Sequence, residues 1–290
     1  MKFFKTGLLF APLFFLAFVN NSGVNDSTGQ LSVLSFNIRY DNPDDGLNAW
    51  KNRKQMVIDF FTETHPEIIG MQEVLYDQLM DIENALPGYG WTGVGRDDGK
   101  KKGEYGPVFY NKEKLQLVRN GHFWLSETPE KTGSKSWGAH LPRIVTWIRL
   151  KDKTSGKKIF FFNTHFSHVS DSARNGSARL LVKMINKIAG DTAVILTGDL
   201  NFTSESEGYK IVVSKENQTE LFDAMFISEN PHFGGTSTFN GFGKTSVKRK
   251  IDFIFTGGGL KVIKHGIYEI KEQDVFISDH WPVYTLVEWE

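Results

Sequence analysis

The sequence contains no cysteine among its 290 residues, and its formal net charge is zero because 34 Lys and Arg balance 34 Asp and Glu. The absence of cysteine excludes disulfide bonds and a cysteine-linked lipid anchor, so stability depends on the apolar core. The balanced charge gives no broad electrostatic case for a nucleic-acid partner. Two short basic clusters, Lys100–Lys102 and Lys248–Lys250, are typical of solvated turns.

The chain also lacks linkers and internal repeats from Leu31 onward. Hydrophobic residues make up 40% and aromatic residues 13% of the sequence, which excludes a disordered or fibrous chain and provides for a large core. Length alone permits one or two domains. We predict a single globular domain over residues 28–290.

The N-terminal residues are typical of a targeting segment. Lys2 and Lys5 precede an apolar stretch over residues 7–19, and small polar residues follow, as in a secretory signal peptide. The stretch is shorter than the roughly 20 apolar residues that cross a bilayer, so no stable membrane span is expected. No clean A-x-A cleavage site precedes the polar residues, and an uncleaved anchor stays open as an alternative. Residues 1–27 are predicted to be a signal peptide and short polar linker, and the mature protein is predicted to be exported, periplasmic or extracellular.

Recurring apolar runs predict many strands and few helices. The predicted strands cover residues 31–37, 67–72, 106–110, 143–150, 158–164, 193–198, 250–256, 262–270 and 282–288. One helix is predicted over 49–63, before Pro66, and another over 172–189, from a Ser172 cap to Gly190. This mixture indicates an α/β or α+β domain with helices outside and sheets inside.

The segment VILTGDLN, residues 194–201, ends an apolar run with Asp199 and Asn201. One interpretation is local, because Asp and Asn often close a buried strand as Asx-turn formers. The alternative is chemical, because a carboxylate and an amide two residues apart on a turn can both enter one cleft. Taken alone, the segment favours the turn.

Other polar residues of metal-ligand, acid/base and amide type accompany the remaining strands. They are Asn37, Glu73, His165, Asp252, Asp279 and His280, in the motifs LSFNIRY, EIIGMQEV, FFFNTHFSH, KIDFIF and SDHWPV. Each alone has a structural interpretation as a turn former, a core histidine or a helix-start acid. Their repetition, mostly at strand ends, suggests that the strands deliver these side chains to one rim of the fold.

The order of these polar motifs along the chain resembles that of the endonuclease/exonuclease/phosphatase (DNase-like) superfamily, and the resemblance extends from about Leu31 to Trp289. The motif SDHWPV is close to the C-terminal signature of that superfamily. The segments GRDDGKKKGEYGPVFYNKEKL, FWLSETP and LPRIVTW resemble an uncharacterised bacterial branch. The resemblance implies an α/β (α+β) four-layer sandwich, in which two packed mixed β-sheets are flanked by helices and the site crosses one edge.

The resemblance also implies roles in metal-dependent phosphoester hydrolysis. Glu73 is expected to bind Mg²⁺ or Mn²⁺, with Asn37 and Asp279 in or near the coordination shell. Asp199 is expected to orient and deprotonate the attacking water. Asn201 is expected to hold that water or a phosphoryl oxygen.

Two histidines complete the implied site. His280, oriented by Asp252, is expected to donate to a non-bridging phosphate oxygen, and His165 to bind the phosphate from the other side. One residue departs from the pattern: Arg39 stands where abasic-site nucleases usually carry an Asp two residues after the Asn. The metal environment of those nucleases therefore does not carry over unchanged.

Five further residues are substrate-binding candidates because they lie in segments that match the branch: Glu104, Tyr110, Arg143, His168 and Arg174. Arg143 offers a bidentate fork to phosphate. A structural pair or a rim position is an equally good interpretation of each. Three tryptophans are more typical of the core than of stacking on a sugar or base: Trp124, Trp137 and Trp281.

Together these patterns predict an exported, divalent-metal-dependent phosphoesterase. It is expected to hydrolyse a phosphodiester or phosphomonoester of a small or head-group substrate by in-line water attack. An extracellular nuclease is one alternative, and a non-catalytic binding domain on the same scaffold is another. Nucleic acid is the less favoured partner, and a monomer is expected.

Overall fold

The computed structural model describes residues 29–290, so the predicted signal peptide lies outside the described residues. The described strands are β1 (Gln30–Asn37), β2 (Ile68–Gln72), β3 (Tyr89–Thr92), β4 (Val108–Asn111), β5 (Leu115–Trp124), β6 (Ile144–Asp152), β7 (Lys158–His165), β8 (Ala193–Asp199), β9 (Phe222–Asp223), β10 (Asp252–Gly257), β11 (Leu260–Ile267), β12 (Lys271–Glu272), β13 (Val275–Phe276) and β14 (Val283–Trp289). The described α-helices are α1 (Trp50–Thr64), α2 (Tyr76–Ala85), α3 (Asp171–Ala189), α4 (Glu207–Val212) and α5 (Ala224–Ile227). Within residues 29–290, no helix combines the length and apolar composition needed to cross a membrane.

Two six-stranded mixed sheets form the centre of the fold. The first has the order β11-β14-β1-β2-β4-β3 and the second β5-β6-β7-β8-β10-β9. In the first sheet β1 and β2 run parallel, in the second β7 and β8 do, and the other neighbours are antiparallel. The carboxyl ends of parallel strands lie at the same edge of a sheet. The ends of β1 and β2 therefore lie together in the first sheet, and the ends of β7 and β8 lie together in the second.

Helices cover the outer face of each sheet. On the first sheet, Phe60 and Phe61 of α1 pack edge-on against Phe36 of β1. On the second, Leu181 and Ile185 of α3 join the buried cluster of that sheet's outer face. The resulting order of helices, sheet, sheet and helices confirms the predicted four-layer sandwich.

The two sheets are in close contact just behind the edge where the parallel strands end. A Cβ atom on Gly70 of β2 would lie 2.3 Å from Oγ1 of Thr197 on β8, so only glycine fits there. Asn163 of β7 spans the gap, donating from Nδ2 to the Met71 carbonyl oxygen at 2.6 Å. Its Oδ1 accepts from Nε2 of Gln72 at 2.7 Å. These buried polar contacts fix the first sheet relative to the second at this edge.

The predicted helices lie within two residues of α1 and α3, but the cap of α3 differs from the prediction. Ser170, not Ser172, is the N-cap, and its hydroxyl accepts from the Ala173 N–H at 3.1 Å. Gly190 ends the helix with a φ of 55°, as predicted. The sequence patterns missed α2 and β3, which are short, and the edge strand β5, most of whose exposed positions are polar.

Candidate active site

Four residues of the predicted set meet where the parallel strands of both sheets end. Asn37 is the last residue of β1, Glu73 follows β2, and His165 and Asp199 end β7 and β8. The parallel register places His165 directly beside Asp199. Nε2 of His165 lies 3.4 Å from Oδ2 of Asp199. The predicted delivery of side chains to one rim is therefore what the topology produces.

Asp252 and His280 reach the same edge from antiparallel strands. Asp252 begins β10 opposite Asp199, and His280 precedes β14, the neighbour of β1. Nδ1 of His280 lies 2.8 Å from Oδ2 of Asp252, and its Nε2 lies 3.8 Å from Oδ2 of Asp199. Burial disfavours the charged imidazole, but the charges of Asp252 and Asp199 outweigh it and hold the pKa of His280 well above its usual range. A protonated His280 can donate to an anionic oxygen.

Asp199 is the central carboxylate of the site. Its Oδ2 accepts from Nδ2 of Asn37 at 3.0 Å. Burial, together with the charge of Asp252, raises the pKa of Asp199 to about 7, while His280 acts in the opposite direction. A carboxyl group with a pKa near neutrality suits a general base.

Both interpretations of VILTGDLN hold in the structure. Oδ1 of Asp199 accepts from the backbone N–H of Asn201 at 3.0 Å, which is an Asx-turn contact. Asn201 adopts a φ of 51° and donates from Nδ2 to the Phe166 carbonyl oxygen at 3.1 Å. The turn thereby holds the carboxylate and the amide at the same cleft.

Of the three predicted metal residues, Glu73 belongs to a cluster with the spacing of an ion site, and it shares that cluster with the predicted catalytic residues His165 and Asp199. Ligand atoms of Glu73, His165 and Asp199 lie within 4.8 Å of one another, close enough to share one ion. Asn37 donates from Nδ2 to Oε1 of Glu73 at 3.1 Å, so it stands beside this group and orients the carboxylate. Hard carboxylate oxygens are the donors that Mg²⁺ and Mn²⁺ prefer, and the residues present fit such an ion. The third predicted metal residue, Asp279, is buried.

Arg39 lies between two of these carboxylates. Its Nη1 is 3.9 Å from Oε2 of Glu73 and its Nε is 3.9 Å from Oδ2 of Asp279. Nε and Nη2 also form a bidentate pair with Asp45 at 2.9 and 3.0 Å. The guanidinium therefore has three carboxylates around it.

A second cationic group flanks the site next to His165. Arg96 and Glu104 form a bidentate ion pair, with Nη2 2.8 Å from Oε1, and Oε2 of Glu104 lies 3.8 Å from Nδ1 of His165. Burial raises the pKa of Glu104, against the opposing charge of Arg96. Burial, reinforced by the charge of Arg143, lowers the pKa of His165 well below its usual range, so this imidazole is neutral.

Arg143 is buried beside this group, and most of its donors have no partner. Only 4% of the residue is exposed, and neither Nε nor Nη1 makes a hydrogen bond within the described residues. Nη2 lies 3.3 Å from Nδ1 of His168. Burial lowers the pKa of Arg143 to about 10, which leaves it charged at neutral pH. A buried cation with free donors is a receptor for an anion.

These groups line one cleft of about 510 Å³, within the usual range for small-molecule sites. Its lining comprises Arg39, Tyr40, Glu73, Glu104, Leu141, Arg143, His165, His168, Asp199, Asn201, Phe239, Arg249, Ile251, Asp279 and His280. Asn37 and Asp252 are buried and contact two of the lining residues, Asp199 and His280 respectively.

Two substrate-binding candidates lie elsewhere. Tyr110 of β4 is opposite Ile68 and Gly90, toward the end of β2 that is remote from Glu73. Arg174 donates to the Ser167 carbonyl oxygen at 2.9 Å and pairs with Asp171, which secures the start of α3. Neither residue lines the cleft. The three tryptophans named above also do not line the cleft: Trp124, Trp137 and Trp281.

The sequence patterns missed several residues of the cleft. Arg249 lines its mouth, although its basic cluster was expected to be a solvated turn. Lys250 of the same cluster is largely buried and pairs with Asp223 at 2.6 Å, a correction to that expectation. Lys100–Lys102 is exposed, as expected.

Comparison with known proteins identifies a matching family and several similar proteins. The model of the Endonuclease/Exonuclease/phosphatase family matches residues 34–280. An endonuclease/exonuclease/phosphatase from Bacteroides vulgatus has a similar structure, with 39% identity, a TM-score of 0.86, and coverage of 90% of this chain and 99% of that chain. A mannosyl-6-phosphatase from Bacteroides thetaiotaomicron has 35% identity and a TM-score of 0.82, covering 89% of this chain and 100% of that chain. An uncharacterised protein of Acanthamoeba polyphaga mimivirus is 29% identical, over 82% of this chain and 92% of that protein.

Proposed function

The chain belongs to the endonuclease/exonuclease/phosphatase family, and on this premise we propose that it is an exported, Mg²⁺- or Mn²⁺-dependent phosphoric ester hydrolase. The observation that carries the proposal is the position of Asp199. A buried carboxylate with a pKa of about 7 lies between the charged His280 and the metal-binding corner at Glu73. This combination supplies a base, a hydrogen-bond donor and a cation site around one phosphoryl group.

Asp199 accepts the proton of the attacking water. The water oxygen forms the new bond to phosphorus, the ester oxygen leaves as the alkoxide, and that alkoxide takes up a proton from solvent. Asn201, held by the turn, positions the water or a phosphoryl oxygen. The loss of the water proton costs less when the base has a pKa near the working pH.

His280 donates from Nε2 to a non-bridging oxygen that gains charge in the transition state. Asp252 positions this ring through Nδ1, and the neutral His165 contacts the phosphate from the opposite side. Glu73, with Asp279 beside it, would hold the divalent ion, which when bound supplies positive charge to the phosphoryl oxygens. All of these groups act most strongly on the transition state, where charge is greatest.

The substrate is proposed to be a small or head-group phosphoester. Arg143 offers free donors to the anionic oxygens, and Glu104, fixed by Arg96, offers carboxylate oxygens to hydroxyl groups. The similarity to a mannosyl-6-phosphatase at 35% identity supports a phosphomonoester of a sugar as the first compound to test. The cleft of about 510 Å³ suits a ligand of that size.

Export is part of the proposal and is supported by the N-terminal pattern of Lys2, Lys5 and the apolar stretch 7–19. N-terminal sequencing of protein recovered from fractionated cells tests it. Mature protein that begins near residues 20–28 in the periplasm or medium is expected. An intact Met1 chain in the cytosol contradicts export.

An activity screen tests the chemistry. Purified protein is assayed with Mg²⁺ or Mn²⁺ against sugar phosphates, inositol and phospholipid head-group esters, and single- and double-stranded nucleic acid. Asp199→Asn serves as the inactive control, and Arg179→Gln, an exposed change on α3, as the active one. Hydrolysis of the first two groups is expected. Preference for nucleic acid favours the nuclease alternative, and no hydrolysis with either ion favours a binding domain.

A further inference from the structure

Arg39 is enclosed by acidic side chains at the corner where Glu73 would bind the ion. Asp45 holds the guanidinium by two hydrogen bonds, at 2.9 and 3.0 Å. Glu73 and Asp279 each lie 3.9 Å from one of its nitrogens. One permanent cation thus bridges both carboxylates of the proposed metal corner.

The backbone holds Arg39 in this place. Its φ is 59°, a left-handed conformation that a long side chain seldom adopts without compensation. Its carbonyl oxygen accepts from Nη2 of the buried Arg53 at 2.7 Å and from Nε2 of Gln78 at 3.0 Å. Its N–H donates to Oδ1 of Asn37 at 3.0 Å. Three hydrogen bonds that maintain an unfavourable conformation indicate that the position of this side chain matters.

The electrostatics explain what Arg39 does there. The charge of Glu73 acts unfavourably on the buried carboxylates of both Asp199 and Asp279, so this repulsion requires positive charge nearby. The guanidinium of Arg39 lies 3.9 Å from both Glu73 and Asp279, so it supplies positive charge to this corner whether or not an ion is bound.

We propose that Arg39 is a built-in cation of the metal centre: it takes the place of a second divalent ion, limits the site to one ion, and keeps the acidic corner folded when that ion is absent. This rests on the proposed metal dependence. Two consequences follow from charge linkage. Arg39 repels the bound ion and so weakens its affinity, and the protein folds without metal because the guanidinium already neutralises the carboxylates.

Binding of Mn²⁺ to the full-length protein and its thermal unfolding test this role. Isothermal titration is expected to give one Mn²⁺ per wild-type chain. Arg39→Gln is expected to bind Mn²⁺ at least about tenfold more tightly, and its unfolding midpoint is expected to fall in EDTA but recover with Mn²⁺. Arg39→Lys retains the charge and should remain close to wild type. Arg179→Gln on the exposed face of α3 controls for loss of any surface arginine.

The outcomes separate the two proposals. Two Mn²⁺ ions in the wild-type protein overturn the role of Arg39 and leave metal dependence standing. So does an Arg39→Gln midpoint that falls equally with and without Mn²⁺, which is the sign of a purely structural residue. If Arg39→Gln does not fold even with Mn²⁺, the charge role is overturned as well. No Mn²⁺ binding by the wild-type protein overturns both the metal dependence and this inference.

Discussion

His280 and Asp252 form a buried pair in which Nδ1 of the imidazole lies 2.8 Å from Oδ2 of the carboxylate. The contact leaves Nε2 on the side of Asp199, 3.8 Å from its Oδ2. Because Asp252 keeps the ring charged and oriented, the two residues should act as one catalytic unit.

Substitution of this pair should lower turnover more than binding. His280→Ala and Asp252→Asn are each expected to reduce kcat by about 10²-fold or more, with a smaller change in KM. Steady-state kinetics of both variants and of the double mutant measure the coupling. The double mutant should be little worse than His280→Ala, whereas losses that multiply fully would show that the residues act independently.

Loss of the metal carboxylate should separate activity from folding. Glu73→Gln keeps the size of the side chain but removes the charge that we propose binds the ion, so Mg²⁺-dependent hydrolysis should fall by about 10²-fold or more. Circular dichroism of this variant, and of wild-type protein in EDTA, should show a folded chain. Full activity in EDTA would contradict metal dependence.

Replacement of Arg143 should raise stability and lower activity together. Its unpaired buried charge is costly, so Arg143→Met is expected to increase the free energy of unfolding by about 1 kcal/mol or more. The same variant should lose about 10²-fold in kcat/KM, because the anionic oxygens lose their donors. Urea denaturation and kinetics, with Arg179→Met as control, measure both effects. A variant that is less stable and fully active indicates a structural arginine.

Acid should weaken the fold through His265, which is buried beside His232 with Nδ1 atoms 2.9 Å apart. Burial, and then the charge of Lys250, lowers the pKa of His265 from 6.5 to about 3. Below pH 6.5 the unfolded chain binds a proton that the folded chain rejects, so stability falls as pH decreases toward 3.

The raised pKa of Asp199 changes the free energy of unfolding in the opposite direction over the same pH range. The contribution of His265 is therefore measured as the difference between wild type and a variant that lacks this histidine. The stability advantage of wild type over His265→Asn should shrink by about 1.4 kcal/mol per pH unit between about pH 6 and 4.5. Urea denaturation at several pH values measures it. Parallel pH profiles for the two proteins would show that His265 does not titrate on unfolding.

Small phosphoesters should be better substrates than duplex DNA. The arginines of the cleft are interleaved with Glu73, Glu104 and Asp279, so a long polyanion meets repulsion beside each cation. Comparison of kcat/KM at about 0.15 M ionic strength, and the dependence of each value on salt, measures this preference. A clear preference for DNA, with a steep salt dependence, contradicts it.

Helices and strands whose apolar residues recur at regular spacing were predictable from the sequence. The apolar stripe of α3 and the apolar runs of the central strands specify their own structure. The edge strand β5 was not predictable because Asn120 and Gly121 are typical of a turn. Gly121 is needed there for another reason: a Cβ atom would lie 2.6 Å from the Trp147 ring on β6.

Individual site residues were predictable where they end a strand and not where they only lie near one in sequence. Glu73 and Asp199 follow apolar runs whose direction brings them to the rim. Tyr110 was assigned from a matching segment, but β4 runs antiparallel to β2 and carries it away from the site. Arg249 was missed because a turn residue gives no indication of which cleft it borders.

The sequence by itself determined the local chemistry: which strands end in carboxylates, amides and imidazoles, and that Asp199 and Asn201 share a turn. Only the tertiary structure decided that these ends coincide. The ends of β1 and β2 face those of β7 and β8 because Gly70 lets the sheets approach and Asn163 joins them. Burial at that shared edge raises the pKa of Asp199. The same packing places Arg39 between Glu73 and Asp279. Such effects depend on distances between residues far apart in the chain, which no local pattern encodes.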